Sequence, residues 1–590
     1  MWREKTRGHL LILACSQTKN ADRSQSPAIH LYDGVNYRVL RKLFLEKGWP
    51  PGLQIKILSA KYGLINPTRL IEPYDLRFDP LSAKGKNSAT LRQLREFAKT
   101  NTPASVFINL GADYRPAIEG IEKVFAHSKI IYADGPIGMK MKRMKEWLKG
   151  LRYGTAAIKG VPRTRRSYLY FFPDWDDFIY EPFSADDGRS PEGTKTYAHE
   201  ACGKRIPFDG ILLSLAHLLV GKGALHRFTN TNGQRVLLRR RLRIPPNILL
   251  FGDCGAFSYA GDAEPPFTPW RAAQLYHKFG FDIGASVDHI PLPEIVGRQT
   301  DGSVVKRPLS ANAQRKRMLL TRDNAEEFLA VCKQQNYSFV PLGVIQGLST
   351  RSYVKRLHEY IDMGYGHVAL GGLVPQSDDA ILKTVCAVRQ AIQARTSGVR
   401  NNIWVHLFGV LRPKLQPLFK ELGVSSFDSA SYFRKAWLRS NQNYIAPDGR
   451  SWYGTIRVPI SASKAMKQAA DSEGLSAEEL GNMETECLDA IENCNSDPSE
   501  DTRVVEAINR YGPLLQRKGE ENHFAEKHAA LLEDRPWEKC SCPFCQSAGI
   551  QVVVFRGAAR NKRRGLHNTW VFYHKVLHGS AVPSSASESE

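Results

Sequence analysis

No stretch of 18 or more apolar residues occurs in the 590-residue chain, so none of it is long enough to cross a bilayer as a helix. An N-terminal apolar run with a small-residue cleavage site is missing too, and the expectation is a cytoplasmic protein with no membrane partner. Acidic residues are in deficit: 59 Asp+Glu against 82 Lys+Arg leaves a formal charge of +23. A surplus of that size suggests a polyanionic partner, and nucleic acid is the usual one. Cysteine is sparse, and seven of the ten stand singly (Cys15, Cys202, Cys254, Cys332, Cys386, Cys487, Cys494). That spacing excludes a secreted disulfide scaffold and suits a reducing compartment. Core-forming residues are not lacking: 42% hydrophobic content with 10% aromatics excludes a disordered chain. The length implies two to four domains.

Residues 1–150 read as a small α/β domain. The short β-branched runs LLILACS (10–16), QIKILSA (54–60), SVFINLG (105–111) and KIIYADG (129–135) are separated by helix-like segments. A basic linker with Gly and Pro follows at 151–167. From 168 a longer alternation begins, with eight candidate strands: YLYFFPD (168–174), GILLSLA (210–216), NILLFGD (247–253), DIGASVD (282–288), FVPLGVIQ (339–346), HVALGG (367–372), IWVHLFG (403–409) and SSFDSAS (425–431). Eight buried strands alternating with amphipathic segments over 168–460 predict a (β/α)₈ TIM barrel, with an open doubly wound sheet as the competing arrangement. Residues 461–535 turn to charged helical composition, 536–578 carry a cysteine cluster, and 579–590 read as a disordered tail.

In a TIM barrel the working side chains sit at the C-terminal strand ends, where the βα loops converge. Here those ends offer Asp174, Asp253, Asp288, Gln346, the Gly371–Gly372 pair and Asp428. One such Asp is more often a helix cap, but several on one rim repel each other, and their pKa values separate into acid and base. The glycine pair allows a flat ligand to approach the backbone, or simply makes a tight turn. Cys540, Cys542 and Cys545 form C-x-C-x₂-C, with His567 and His574 as rival fourth ligands. Three thiolates and an imidazole fill tetrahedral zinc completely, so one structural zinc per chain is expected. The basic stretches Arg163–Arg166, Arg239–Arg243, Arg315–Arg317 and Arg560–Arg564 read together as a long electrostatic track for a nucleic acid. Cys15, at a strand-to-helix turn, is either a reactive thiol or a buried structural cysteine.

Between residues 168 and 575 the chain resembles the tRNA-guanine transglycosylase superfamily. GDCGAF (252–257) is similar to its DSGGF signature, and SVDHI (286–290), GVIQG (343–347), ALGGL (369–373), HLFGV (406–410) and SFDSAS (426–431) follow in the family's order and spacing. CSCPFC with LHNTWVFY resembles its zinc subdomain, which favours His567 over His574. The opening YFFPDWDDF, YAHE (197–200) and FDGILLS (208–214) resembles the DNA-modifying 7-deazaguanine transglycosylases of the DpdA type. ACSQTK (14–19), ILSAKYGL (57–64) and IEPYD (71–75) make the first domain similar to YaaA-like proteins.

The resemblance implies an enzyme, a pentosyl-transferring guanine transglycosylase. It would exchange guanine in DNA for 7-cyano-7-deazaguanine within a modification and restriction system that includes partner proteins. The alternatives are the same chemistry on tRNA and a non-catalytic scaffold that binds nucleic acid. Residue by residue, it implies Asp428 as nucleophile and Asp253 as acid/base. Asp288 and Gln346 would bind the base edge, and Gly372 and Leu373 would contact it through their backbone. Two departures concern specificity: LVPQSDD follows the GG pair where the family has a small residue, Val, Gly and Glu, and GDCGAF has Cys254 and Ala256 where Ser and Gly are usual.

Overall fold

The computed structural model describes residues 8–20, 25–47, 50, 52–151, 168–173, 177–183, 193–219, 238–298, 304–395, 403–438, 440–515 and 524–578. The expected linker (152–167), the terminal tail (579–590), Asp174 and the basic run Arg163–Arg166 lie outside the described residues. The chain forms two compact units. One comprises residues 1–171, 210–241 and 245–428; the other comprises 172–209, 242–244 and 429–590.

The first unit opens with a five-stranded sheet. The strands run in the order Gly63–Ile65, Leu53–Ser59, His9–Ala14, Ser105–Asn109, Lys129–Tyr132, with only the Gly63–Ile65 edge antiparallel. Side chains alternate faces along a strand. Leu11 and Leu13 therefore join one buried cluster with Ile55 and Ile57, while Leu10 and Ile12 join another with Val106 and Ile108. Burial on both faces is what a parallel sheet requires, and it explains why these strands read as unbroken apolar runs.

The eight strands expected from 168 onward close into a barrel, all parallel. They are Leu169–Pro173, Gly210–Ser214, Leu249–Asp253, Ile283–Ala285, Val340–Ile345, His367–Leu370, Trp404–Leu407 and Ser426–Asp428, and the last pairs with the first. The open-sheet alternative is excluded by that closure. Phe171, Leu212, Phe251, Ile283, Leu342, Val344, Ala369 and Trp404 fill the interior, so the barrel is a packed core rather than a pore. The long helix Ala311–Gln334 comes between the fourth and fifth strands and packs against the fifth; it is started by Ser310, whose side chain accepts from the Ala313 N–H. Helices Thr350–Met363 and Asp378–Arg395 follow the fifth and sixth strands. Within the same unit the first domain is tied to the barrel by His30 Nδ1, 3.0 Å from Glu421 Oε2.

The second unit is mainly helical, with Lys464–Glu473, Ala477–Ser496, Asp501–Tyr511 and Phe524–Asp534 where charged helical composition is expected. Its last long helix is Gly557–Val571, which continues into the π-helical turn Phe572–Leu577. No helix among the described residues is long and apolar enough to cross a membrane.

One expectation fails here. The run Arg560–Arg564 is not part of a nucleic-acid track: Arg560, Arg563 and Arg564 are all at most 1% exposed. Arg564 donates to the carbonyls of Val552 and Val554 (3.0 Å each) and Ala436, and Arg563 Nη1 donates to Glu181 Oε1 at 2.8 Å. A buried guanidinium is costly unless its donors are used, and the bonds from Arg564 hold turns of the polypeptide in place. In the first unit, Arg317 is likewise buried, on the carbonyls of Ala260, Ile290 and Asp262. Arg239 is paired with Asp282 at 2.5 Å.

Candidate active site and metal centre

The C-terminal ends of the barrel strands bring Asp253, Asp288, Gln346, Gly371, Gly372 and Asp428 to one mouth, as the strand order demands. Asp253 ends the third strand beside Ser214, its partner in register on the second. Its Oδ2 accepts from the Gly255 N–H at 3.2 Å, whereas Oδ1 is shielded from solvent and has no hydrogen-bond partner among the described residues. Desolvation, reinforced by the nearby charges of Asp428 and Asp288, pushes the Asp253 carboxyl up to about 7. Asp288 is pushed up to about 6 by burial, while the bond from Gln346 Nε2 to its Oδ2 (2.7 Å) opposes that rise.

Asp428, 7% exposed, lies at the end of the eighth strand. One oxygen, Oδ1, takes two hydrogen bonds: from the Gly409 N–H at 2.8 Å and from His406 Nε2 at 3.1 Å. His406 is fully buried, and burial lowers its pKa, so the imidazole is neutral. Its other nitrogen, Nδ1, lies 2.7 Å from the Ser426 hydroxyl. A neutral ring carries one N–H, and a carboxylate only accepts. The proton therefore sits on Nε2, and Ser426 donates to Nδ1. Sequence reasoning missed His406, Ser426 and Gly409. The only available signal was a histidine inside HLFGV, one strand before the key aspartate.

The glycine pair has a definite role. Gly372 adopts φ +70°, and a Cβ there would lie 2.7 Å from Gln346 Oε1; a Cβ on Gly371 would lie 2.3 Å from Gln346 Nε2. Both positions must be glycine for Gln346 to occupy its place. Gln346 Oε1 is shielded and has no hydrogen-bond partner among the described residues, leaving a free acceptor beside Gly372. Leu373 is fully buried, and Tyr353 Oη donates to the Gly371 carbonyl at 2.6 Å. The divergent segment after the pair is anchored by Arg412 Nε, 3.2 Å from Asp378. Cys254 is buried with its Sγ 3.4 Å from Tyr276 Oη, and burial pushes its thiol up, so it acts as core.

In the second unit, Cys540, Cys542, Cys545 and His567 converge, all buried, with their donor atoms within 4.8 Å of one another. His567 Nδ1 is 3.6, 3.3 and 3.2 Å from the sulfurs of Cys540, Cys542 and Cys545. A tetrahedral metal with Zn–S of about 2.3 Å and Zn–N of about 2.0 Å needs donor separations of about 3.5–3.8 Å, so the set fits one ion. His567 Nε2 is 2.8 Å from the Ile445 carbonyl and donates to it, which leaves the Nδ1 lone pair facing the sulfurs. Of the two candidate histidines, His567 is the one that faces the three sulfurs, and His574 lies with Nε2 3.2 Å from the Arg205 carbonyl.

Comparison with known proteins agrees with this arrangement. Residues 10–146 match a family described as being of unknown function, DUF6884. Over 424 residues, 70% of this chain and 98% of the relative, the sequence is 31% identical to a DNA-guanine transglycosylase of Salmonella montevideo. It is 27% identical over 199 residues to a tRNA-guanine(15) transglycosylase of Pyrococcus furiosus, covering 33% of this chain and 30% of that protein. A tRNA-guanine(15) transglycosylase of Korarchaeum cryptofilum is 24% identical over 356 residues, 55% of this chain and 53% of its own length. A closed eight-stranded parallel barrel with carboxylates at its mouth, and a match that runs almost the whole length of one relative, place the chain in the tRNA-guanine transglycosylase superfamily, as an enzyme of the glycosyltransferase class.

Proposed function

We propose that the chain exchanges guanine in DNA for 7-cyano-7-deazaguanine by double displacement. The observation that carries the chemistry is the way Asp428 is held. Both hydrogen bonds fall on Oδ1, so Oδ2 is left as the oxygen available to attack. In the first step Oδ2 bonds to the anomeric carbon C1′ as the C1′–N9 bond of guanine breaks, and Oδ1 becomes the ester carbonyl oxygen. Asp253, protonated below about pH 7, gives its proton to the departing base. In the second step the incoming base returns a proton to Asp253, and its N9 displaces Asp428 from C1′. Two inversions at one carbon retain the configuration.

Asp288 and Gln346 would bind the edge of the base. The unpartnered Gln346 Oε1 would accept a base N–H, and the Asp288 carboxylate a second one. Gly372 and Leu373 would line the face through their backbone. Support for DNA as substrate comes from the Salmonella relative, whose name says that it acts on DNA and which is matched over 98% of its own length; the tRNA enzymes match over shorter spans. The target base must leave the stack to reach such a mouth. The Cys₃His set would hold one structural zinc with no open position, supplying rigidity and no step of the reaction. We place the protein in the cytoplasm, consistent with ten cysteines of which none forms a disulfide, and in a DNA modification system with partner proteins. The first domain we read as YaaA-like.

The decisive experiment offers the purified protein labelled 7-cyano-7-deazaguanine together with DNA or bulk tRNA, then digests the nucleic acid to nucleosides. Label in deoxynucleosides is the expected result. Label in tRNA alone would overturn the DNA reading, and label in neither would overturn the choice of incoming base.

A further inference from the structure

The C-terminal edge of the first-domain sheet carries a second cluster of functional groups that base exchange does not use. The parallel strands run Leu53–Ser59, His9–Ala14, Ser105–Asn109, Lys129–Tyr132, so the order reverses between His9–Ala14 and Ser105–Asn109. At such a reversal the connections leave in opposite directions, and a crevice opens beyond the carboxyl ends of the strands. Cys15 follows the first of these strands, and its Sγ lies 3.3 Å from the Tyr114 hydroxyl, beyond the second. Next to them a hydroxyl network is built into the core: Tyr74 Oη is 2.8 Å from both Ser59 Oγ and Tyr32 Oη, and Tyr32 and Ser59 are fully buried. This network fixes the half-buried Tyr74 ring.

Around these rings stand cations that no described carboxylate neutralises. Lys19 Nζ is 4.5 Å from the Tyr74 ring centre, and Lys61 Nζ is 5.2 Å from Tyr62 and 5.8 Å from Tyr74. Arg69 is 5.3 Å from Tyr62, and Lys86 is 5.4 Å from Phe78 with its ammonium on the Ala60 carbonyl at the end of a strand. Tyr62 and Tyr74 meet edge to face at 5.4 Å, and Phe78 meets Tyr114 at 4.7 Å. The acidic groups of the same segment are Glu72, which accepts from Gln25, Asp79, which caps a helix, and Asp75. The contrast with Arg560, Arg563 and Arg564 is direct: those guanidinium groups are buried, whereas these cations lie at the surface with at most a backbone carbonyl as partner and no described carboxylate paired to them.

We propose that this edge binds a nucleotide unit, with Lys19, Lys61 and Lys86 meeting the phosphate and Tyr62 and Tyr74 meeting the base. Fixed aromatic rings interleaved with unneutralised cations suit that chemistry, because every base offers a π-face and every linkage a negative charge. The same unit can come from a single strand of nucleic acid or from a free nucleotide.

The test uses the full-length protein and a decathymidylate in which 5-iododeoxyuridine replaces one thymidine. Binding is followed by fluorescence anisotropy, and ultraviolet cross-links are mapped by mass spectrometry. Cross-links at Tyr62 or Tyr74 are expected. The double variant Lys19→Glu, Lys61→Glu should bind at least tenfold more weakly, with a salt slope smaller by about 1.4, the value for two lost phosphate contacts on a single strand. Millimolar thymidine monophosphate that displaces the strand and its cross-link identifies a free-nucleotide site; failure to displace it identifies a strand site. Cross-links confined to residues beyond 168 would overturn the proposal. So would an equal loss of affinity on making the same charge change at the exposed Lys464 and Lys467. Base exchange is not the readout, so the result stands apart from the function proposed for the barrel.

Discussion

The barrel mouth and the Cys540–His567 cluster are both sets of polar groups in apolar surroundings, and they are completed in different ways. In the cluster every donor atom points inward, and the one remaining imidazole nitrogen is spent on the Ile445 carbonyl. At the mouth, completion is withheld: Asp253 Oδ1 and Gln346 Oε1 have no partner among the described residues, and Asp428 has one oxygen held and the other open. A buried polar atom without a partner costs roughly 1–3 kcal/mol, and at the mouth a bound base would supply the partner. The difference separates a site that stabilises from one that reacts.

Four changes test that contrast, taken from the largest expected effect downward. Cys542→Ser removes a donor from the closed set. Structural zinc is worth roughly 10–16 kcal/mol in zinc-finger peptides, so residues 540–571 should lose hydrogen-exchange protection and the content of about one zinc per chain should vanish. A metal-free variant with unchanged protection would show that the cluster is not structural. Asp428→Asn keeps an acceptor for Gly409 and His406 but removes the nucleophile. Exchange should fall by about 10⁴-fold or more, equivalent to about 5.5 kcal/mol, while DNA binding persists; unchanged exchange would remove Asp428 from the role.

Asp253 makes the third test through pH. Its folded value of about 7 exceeds the ordinary 3.8, so the native state holds the proton more tightly than the unfolded chain. The associated stability is fully present below pH 3.8 and is lost as pH rises through about 7, an upper limit of about 4 kcal/mol. The rate of base release, which needs the protonated acid, should fall tenfold per pH unit above about 7. Asp253→Asn should flatten both profiles, and a wild-type rate independent of pH between 6 and 9 would exclude Asp253 as the acid. Smallest is Gly372→Ala. The positive φ costs about 1–2 kcal/mol, and the methyl pushes against Gln346, so KM for the incoming base should rise about ten- to hundredfold with kcat less affected. An unchanged KM would mean that Gln346 does not read the base.

Much of this was legible in the sequence because parallel strands buried on both faces must be apolar throughout. All eight barrel strands and the four parallel strands of the first sheet lie where such runs occur. The limits of the strands were less clear: DIGASVD predicts seven extended residues, but only Ile283–Ala285 are strand, since polar residues at the rim leave the ladder. The aspartates were visible because they end those runs, whereas His406 was not, because a histidine within an apolar strand has no pattern to mark its second hydrogen bond. Spacing alone left His567 and His574 as rivals; the resemblance favoured His567, and the Ile445 and Arg205 carbonyls that the two rings meet agree with it. The basic runs misled most. Counting guanidinium groups measures charge but not direction, and all three in Arg560–Arg564 face inward.

Those inward arginines make the C-terminal helix a chemical reporter of its own integrity. Dicarbonyl reagents attack guanidinium groups that solvent can reach, so in the native protein Arg560, Arg563 and Arg564 resist labelling while exposed arginines such as Arg240 and Arg315 are modified. Removing one of the four clustered metal-ligand candidates, or truncating the segments that supply the Val552, Val554 and Ala436 carbonyls, would open the same three positions together. One labelling experiment followed by peptide mapping therefore reads whether this part of any preparation is folded, without substrate or an activity assay.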